Sequence, residues 1–306
     1  MKALPALLLF VLLGHAARQD SFRISVDVDL VVLHATVTDR QGGFVSDLNE
    51  QAFEVYENGV PQPIRLFESE DVPVTVGLVV DHSSTMGPKI GEVSIAARTF
   101  ARASNPQDEM FVVNFNEKVS LGLPAKLRFT NSVAQLQMAI GNANAGGQTA
   151  LYDGIAKALE ELEAGSRDKK VLIVISDGGD NRSARNLDQV MRLASQSSAV
   201  IYTVGLFDEN DPDRNPGVLK RLARATGGEA FLPSEASEVV AICERIARDI
   251  RHQYTIGYVP LNLAHDGVYR AVRVVARAKG HDKLSVRTRA GYIRGGEPRL
   301  AETSAK

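Results

Sequence analysis

The sequence predicts an α/β fold, a doubly wound and mostly parallel sheet with helices on both faces, joined to a smaller all-β part. Three observations carry this. Residues 74–80 form a nearly continuous apolar run ending in Asp81, as expected of a strand covered on both faces. From there to Arg251, similar runs alternate with stretches of helical periodicity. Near both ends of the chain, apolar residues recur instead with period two.

Of 306 residues, 44% are hydrophobic and 24% charged, enough apolar mass for a substantial core and too much for a disordered chain. The 35 basic and 37 acidic residues leave a formal charge of −2, so no global field draws the chain to nucleic acid or anionic lipid. The single cysteine, Cys243, excludes an intrachain disulfide and a cysteine-based zinc site.

Taken in order, residues 1–20 have the pattern of an export signal: Lys2, an apolar run over 3–13, and the small residues Gly14, Ala16 and Ala17. Cleavage after Ala16 or Ala17 is expected, leaving a secreted or periplasmic protein. The apolar run is about a dozen residues, short of the roughly twenty that a membrane span needs. Residues 22–70 read as all-β. Ile24, Val26, Val28, Leu30 and Val32 would share one strand face, and Phe53-Glu54-Val55-Tyr56 and Ile64-Arg65-Leu66-Phe67 flank the hairpin signal Glu57-Asn58-Gly59.

Residues 71–251 form the α/β part. Helices are expected over 89–104, 132–140, 151–162, 187–196, 218–225 and 236–248, and strands over 74–80, 110–115, 171–175, 200–204 and 230–231. Within the last helix, Cys243 shares a face with Val239, Val240, Ile246 and Ile250 and is expected to be buried, while Arg245, Arg248 and Arg251 suit the helix end. Strands return at 254–259, 269–276 and 284–287. Three strands make a poor sheet alone, so residues 252–294 are expected to pair with 22–70, with the α/β domain inserted between them. Residues 295–306 read as a disordered tail.

In an open parallel α/β sheet, ligands bind beyond the carboxyl ends of the strands, at the point where strand order reverses. The segments placed there are Asp81-His82-Ser83-Ser84-Thr85, Gly146-Gly147-Gln148-Thr149 and Ser176-Asp177-Gly178-Gly179-Asp180-Asn181. They supply carboxylates and short hydroxyls, hard oxygen ligands that suit Mg²⁺, Mn²⁺ or Ca²⁺ rather than zinc. Two carboxylates would roughly neutralise a divalent cation and leave it an open position for a partner's acidic group. His82 is expected to point to solvent.

These residues resemble the metal-ion-dependent adhesion site of a von Willebrand factor type A domain. That family's pattern is D-x-S-x-S at the end of the first strand, a Thr in a later loop and an Asp after the fourth strand. Asp81, Ser83 and Thr85 fit the first part, Thr149 follows 68 residues after Asp81, and Asp177 follows 28 residues after Thr149. The resemblance implies a Rossmann-like α/β domain. It implies that Ser83 and Thr85 coordinate the metal directly, and that Thr149, Asp81 and Asp177 do so directly or through water. Thr85 replaces the usual second Ser and keeps the hydroxyl; Ser84 replaces a common Gly. Residues 22–70, the tract 215–228 and the ending 254–292 also resemble secreted bacterial proteins related to this family, abundant in acidobacteria.

Competing chemistry lacks its residues. Asp81-x-Ser83-x-Thr85 has the outline of the phosphatase motif D-x-D-x-T, but Ser83 cannot replace the second Asp as general acid. No G-x-S-x-G elbow, G-x-G-x-x-G turn or G-x-x-x-x-G-K-[ST] loop is present, so no enzyme activity is expected. Asp211, Asp213 and Asn215 have the first spacings of a calcium loop, but the twelfth position is Leu222, and a solvated loop is expected. The expected function is therefore an exported interaction protein. It would bind an exposed Asp or Glu of a protein partner through Mg²⁺, Mn²⁺ or Ca²⁺. The alternative is a structural module of the cell envelope in which the metal only ties loops together.

Overall fold

The computed structural model describes residues 30–69, 71–207, 213–281 and 283–294. The expected signal over 1–17, the strand pattern over 22–29, position Asp211 and the tail over 295–306 lie outside the described residues. Among the described residues, no helix is long and apolar enough to cross a membrane.

The chain opens with β1 (Val31–Thr38), β2 (Phe53–Glu57), β3 (Val60–Gln62) and β4 (Ile64–Glu68). Asn58 and Gly59, at φ 49° and 81°, make the tight turn between β2 and β3. The turn stands where the Asn-Gly signal put it, but the strand that β2 meets is β3, not Ile64–Glu68. The chain breaks at Pro63, and β4 passes into another sheet to pair with a strand nearly two hundred residues later.

The α/β body follows. Its strands are β5 (Val74–Asp81), β6 (Glu109–Phe115), β7 (Val119–Leu121), β8 (Lys169–Ser176), β9 (Val200–Gly205) and β10 (Ala230–Phe231). Its helices are α1 (Ile90–Ala103), α2 (Val133–Gly141), α3 (Leu151–Leu162), α4 (Leu187–Gln196), α5 (Pro216–Thr226) and α6 (Val239–Arg251). The strand order is β10-β9-β8-β5-β6-β7, parallel except for the edge strand β7. Helix α1 packs between α2 and α6, and α3, α4 and α5 cover the other face, as right-handed crossovers require. Every residue of β5 is buried, which is why its sequence is apolar without alternation. Local signals fix helix ends: Asn186 and Gln189 form a capping box on α4, and Asn215 caps α5 ahead of Pro216.

The chain ends in β11 (Tyr254–Tyr258), β12 (Tyr269–Ala276), β13 (Ser285–Arg287) and β14 (Gly291–Ile293). Two antiparallel sheets result, ordered β13-β1-β11-β4 and β14-β12-β2-β3, and each mixes strands from both ends of the chain. Leu33, Ala35 and Val37 of β1 pack with Phe53, Tyr254 and Ile256 in a core separate from that of the α/β body. The inward residues of β1 are thus the odd-numbered ones, opposite in phase to the pattern that ran through Leu30 and Val32. The even face of β1 is not solvated either: Thr36 is buried against the α/β body, so period two marks no single core face here.

That contact is polar. The Asp249 carboxylate of α6 accepts from Thr36 Oγ1 at 2.6 Å, from Tyr202 OH at 3.0 Å and from Arg287 of β13, while Lys169 donates to the α6 carbonyl of Ile250. One fully buried carboxylate therefore ties β1, β9 and β13 to the last helix. Because removing it takes from the Arg287 guanidinium its buried carboxylate partner and from two buried hydroxyls their acceptor, Asp249→Ala is expected to cost about 3–5 kcal/mol in denaturant unfolding. A loss below about 1 kcal/mol would show the cluster to be solvated.

His34, beside it on β1, is pushed down from 6.5 to about 3 by burial, with Lys169 and Arg289 adding to the effect. Between pH 6.5 and 3 the unfolded chain binds a proton here that the folded chain does not, so stability falls as pH is lowered through that window. The contribution is up to ~1.4 kcal/mol per pH unit. His34→Gln should flatten the slope of unfolding free energy against pH there; an unchanged slope would refute the assignment.

Candidate metal centre

Strand β5 is the point where the winding reverses: α1 carries the chain to β6 on one side, and α3 carries it back to β8 on the other. The crevice beyond the carboxyl ends of β5 and β8 is therefore the expected ligand position. The β5–β8 register pairs Val80 with Ile175, so Asp81 and Ser176 come out side by side. Ser176 Oγ donates to Asp81 Oδ2 at 2.6 Å, and the backbone N–H of Ser83 donates to Oδ1 at 2.8 Å. Asp81 is fully buried. Burial pushes its carboxyl up to about 6 against the pull of these hydrogen bonds, and the Asp177 charge pushes the same way.

A 3-10 turn over Ser84–Lys89 follows, pinned by the buried Met86, and it carries Thr85. Thr85 Oγ1 donates to Asp177 Oδ2 at 2.6 Å and lies 3.2 Å from Ser83 Oγ. Asp177 is held in turn: Gly179 N–H donates to its Oδ1 at 3.1 Å, and its carbonyl accepts from Asn215 N–H at 3.1 Å. Between them Gly178 adopts φ 79°, and a Cβ there would stand 2.4 Å from the Asn215 carbonyl, so glycine is required on both counts.

The third loop is strapped to the other two. Gly146 N–H donates to the His82 carbonyl at 2.7 Å. The Thr149 N–H donates to Asn181 Oδ1 at 2.9 Å, and the Thr149 carbonyl accepts from Asn181 and Arg182. The Thr149 hydroxyl makes no hydrogen bond to any described residue. The structure thus gathers Asp81, Ser83, Thr85 and Asp177 through short hydrogen bonds and fixes the backbone of Thr149 beside them.

Two carboxylates and three hydroxyls form a purely oxygen donor set. Among the described residues no group of three or more His, Cys, Asp or Glu is arranged to hold a metal, so any cation site in this crevice rests on the hydroxyls. Hard divalent cations fit such donors.

Three side chains depart from the sequence reading or were missed by it. His82 does not reach solvent: it is buried, its Nε2 lies 3.0 Å from Asn114 Oδ1, and Asn114 Nδ2 donates to the Ala139 carbonyl at 2.7 Å. Asn114 Oδ1 must then accept, which places a proton on Nε2, and burial lowers the imidazole pKa against the pull of the Asn114 hydrogen bond. Ser176 and Asn181, which orient Asp81 and Thr149, stood inside the strand-end segment without an assigned role. In the neighbouring loop, Asn215 Oδ1 caps α5 at Val218 N–H, and Asp213 accepts from Asn181 Nδ2 at 2.9 Å, so both already serve the fold. Cys243 is buried, with its thiol pushed up to about 12.

Comparison with known proteins agrees with this architecture. The sequence pattern of the von Willebrand factor type A domain matches residues 75–244. An uncharacterized protein of Synechocystis sp. is 27% identical over 172 residues, 54% of this chain and 39% of that protein, so the match spans about two fifths of the relative's length. Among solved structures, a von Willebrand factor type A protein from Catenulispora acidiphila aligns with a TM-score of 0.53 at 13% identity, covering 88% of this chain and 74% of that one. The vWF domain of the type V pili tip protein Mfa5 from Porphyromonas gingivalis aligns at 0.50 and 16% identity, covering 59% of this chain and 95% of that one. These likenesses show the fold. With that family's pattern covering more than half of its length, the chain belongs to the von Willebrand factor type A domain family.

Proposed function

We propose that this chain is an exported interaction protein that grips an acidic group of a protein partner through a divalent cation, Mg²⁺ or its relatives Mn²⁺ and Ca²⁺. Asp81, Ser83, Thr85, Thr149 and Asp177 would hold the cation. The observation that carries this reading is the hydrogen bond between Thr85 Oγ1 and Asp177 Oδ2, 92 residues apart, beside Ser83 Oγ. Oxygens from separate loops converge there on one point, as a shared cation would require.

Electrostatics support the same reading. A buried carboxylate with no cation is costly, and burial already pushes Asp81 towards its protonated form. A dication would favour the ionised form and draw Asp81 and Asp177 together. Ser83 and Thr85 would offer hydroxyl oxygens, Thr149 the unengaged one, and Ser176 would keep Asp81 oriented. When bound, the cation supplies an electrophilic position that a partner's carboxylate oxygen can occupy. Von Willebrand factor type A domains are generally interaction modules rather than enzymes, in keeping with this role. Export rests on the signal-like residues 1–17.

Titration calorimetry with MgCl₂ is expected to show one site per chain. Asp81→Ala and Asp177→Ala should each abolish the heat while circular dichroism stays unchanged; a retained heat would contradict the ligand assignment. Ser176→Ala should weaken Mg²⁺ roughly 10–100-fold, the usual cost of losing a group that orients a ligand. An envelope or culture-fluid protein captured on the immobilised chain in Mg²⁺ should be released by EDTA, and capture that survives EDTA would refute the bridging role.

A further inference from the structure

At the opposite end of α5 from the candidate metal centre, a cleft of about 570 Å³ opens between the α/β body and the β-sandwich. Five cations line it, Lys220, Arg224, Arg273, Arg287 and Arg289, against a single carboxylate, Glu229. Two of the cations are committed. Arg287 serves Asp249, and Arg289 donates to the carbonyls of Ser195 and Gly291 at 3.0 and 2.9 Å. Glu229 is committed as well, 3.3 Å from Arg245 and 3.6 Å from Arg287. Lys220 and Arg224 form no salt bridge with any described residue, while Arg273 rests on the Tyr56 ring at 4.3 Å, where its charge also acts on the Glu54 carboxylate. The cleft therefore keeps an uncompensated positive charge in a chain whose net charge is −2.

Its walls also hold unmet hydrogen-bonding groups. Thr288 Oγ1 is buried there without a partner. Strand β12 runs over eight residues, but β14 covers only Tyr269, Arg270 and Ala271. The Ala271 carbonyl accepts from Asn58 on the β2 side, and Val272 N–H donates to Ala290 on the other. Main-chain groups alternate in direction along an antiparallel strand, so those of Val274 turn away from β2 as those of Val272 do. Among the described residues no strand pairs with Val274 on that side: β13 packs against β12 but is hydrogen-bonded to β1 in the other sheet. Val274 lines the cleft, and its edge opens on it.

We propose that this cleft takes an extended acidic peptide segment of a protein partner. Its backbone adds to the β12 edge at Val274, and its carboxylates meet Lys220, Arg224 and Arg273. Main-chain pairing of this kind supplies affinity, and alternate side chains supply specificity. In an extended strand, side chains two residues apart fall on one side, so acidic residues at every second position would face the cations together. The site works without the cation at Asp81.

The test uses the full chain and a fluorescein-labelled hexapeptide of alternating Glu and Val, followed by anisotropy at low ionic strength. Binding is expected, weakening as NaCl is raised because the pairs are solvent-exposed. The double charge reversal Lys220→Glu with Arg224→Glu lies on the exposed face of α5, and should raise Kd by roughly tenfold or more. N-methylation of alternate peptide amides should weaken binding several-fold. EDTA and Asp81→Ala should leave it unchanged, which separates this site from the metal reading. Absence of binding to the wild-type chain, indifference to the charge reversal, or equal affinity for the N-methylated peptide would overturn the proposal. So would displacement by equimolar inorganic pyrophosphate, which would identify a small-oxyanion site instead.

Discussion

A carboxylate that is wholly removed from water has to be compensated, and Asp81 is such a group at the end of one of the two central strands of the sheet. Much of the surrounding architecture answers to it. Ser176 and the Ser83 N–H each donate to one of its oxygens, and even so burial pushes it up to about 6. The glycines after Asp177 let that loop turn back sharply against Asn215, and the loop at Gly146 is tied to the carbonyl beside Asp81. A protein needing only to end a strand would have placed an apolar or exposed residue here. Keeping a buried acid among hydroxyls makes sense where a cation completes the charge balance, and this is the physical basis of the proposed function.

The second organising feature is the insertion of the α/β body between the two halves of a β-sandwich. Helix α6 passes to β11 through His252 and Gln253 alone, and its Asp249 is held by groups from β1, β9 and β13. Movement of α6 would therefore pull on the sandwich sheet β13-β1-β11-β4, to which β1, β13 and β11 all belong. The basic cleft lies along this seam, with one wall from α5 and the other from β12 and β13. A partner seated there would touch both bodies at once.

Much of the α/β body was legible because its determinants are local. The bounds Leu151–Leu162 and Leu187–Gln196 follow from apolar periodicity and, for the second, from the Asn186 cap. The loops at Asp81, Thr149 and Asp177 were legible for the same reason: each follows a readable strand or precedes a readable helix. What could not be read depends on register and on distant neighbours. Three-residue β3 contains Pro61 and is followed by Pro63, which hides an edge strand from any propensity argument. The phase of β1 was obscured because Thr36 on its other face is buried at Asp249. The burial of His82 depends on Asn114 and Ala139, and the role of Ser176 on the pairing of Val80 with Ile175. None of these can be reached by spacing along the chain.

The central claim is that Asp81, Ser83, Thr85, Thr149 and Asp177 form one divalent-cation site. Crystals grown or soaked with MnCl₂, measured at a wavelength where manganese scatters anomalously, test it directly. The account predicts an anomalous peak in the crevice between the ends of β5 and β8, with Ser83 Oγ and Thr85 Oγ1 at roughly 2.0–2.2 Å, a distance range set by Mg²⁺-like oxygen coordination. An empty crevice at saturating manganese, with these side chains still bonded to one another as Thr85 is to Asp177 here, would contradict it.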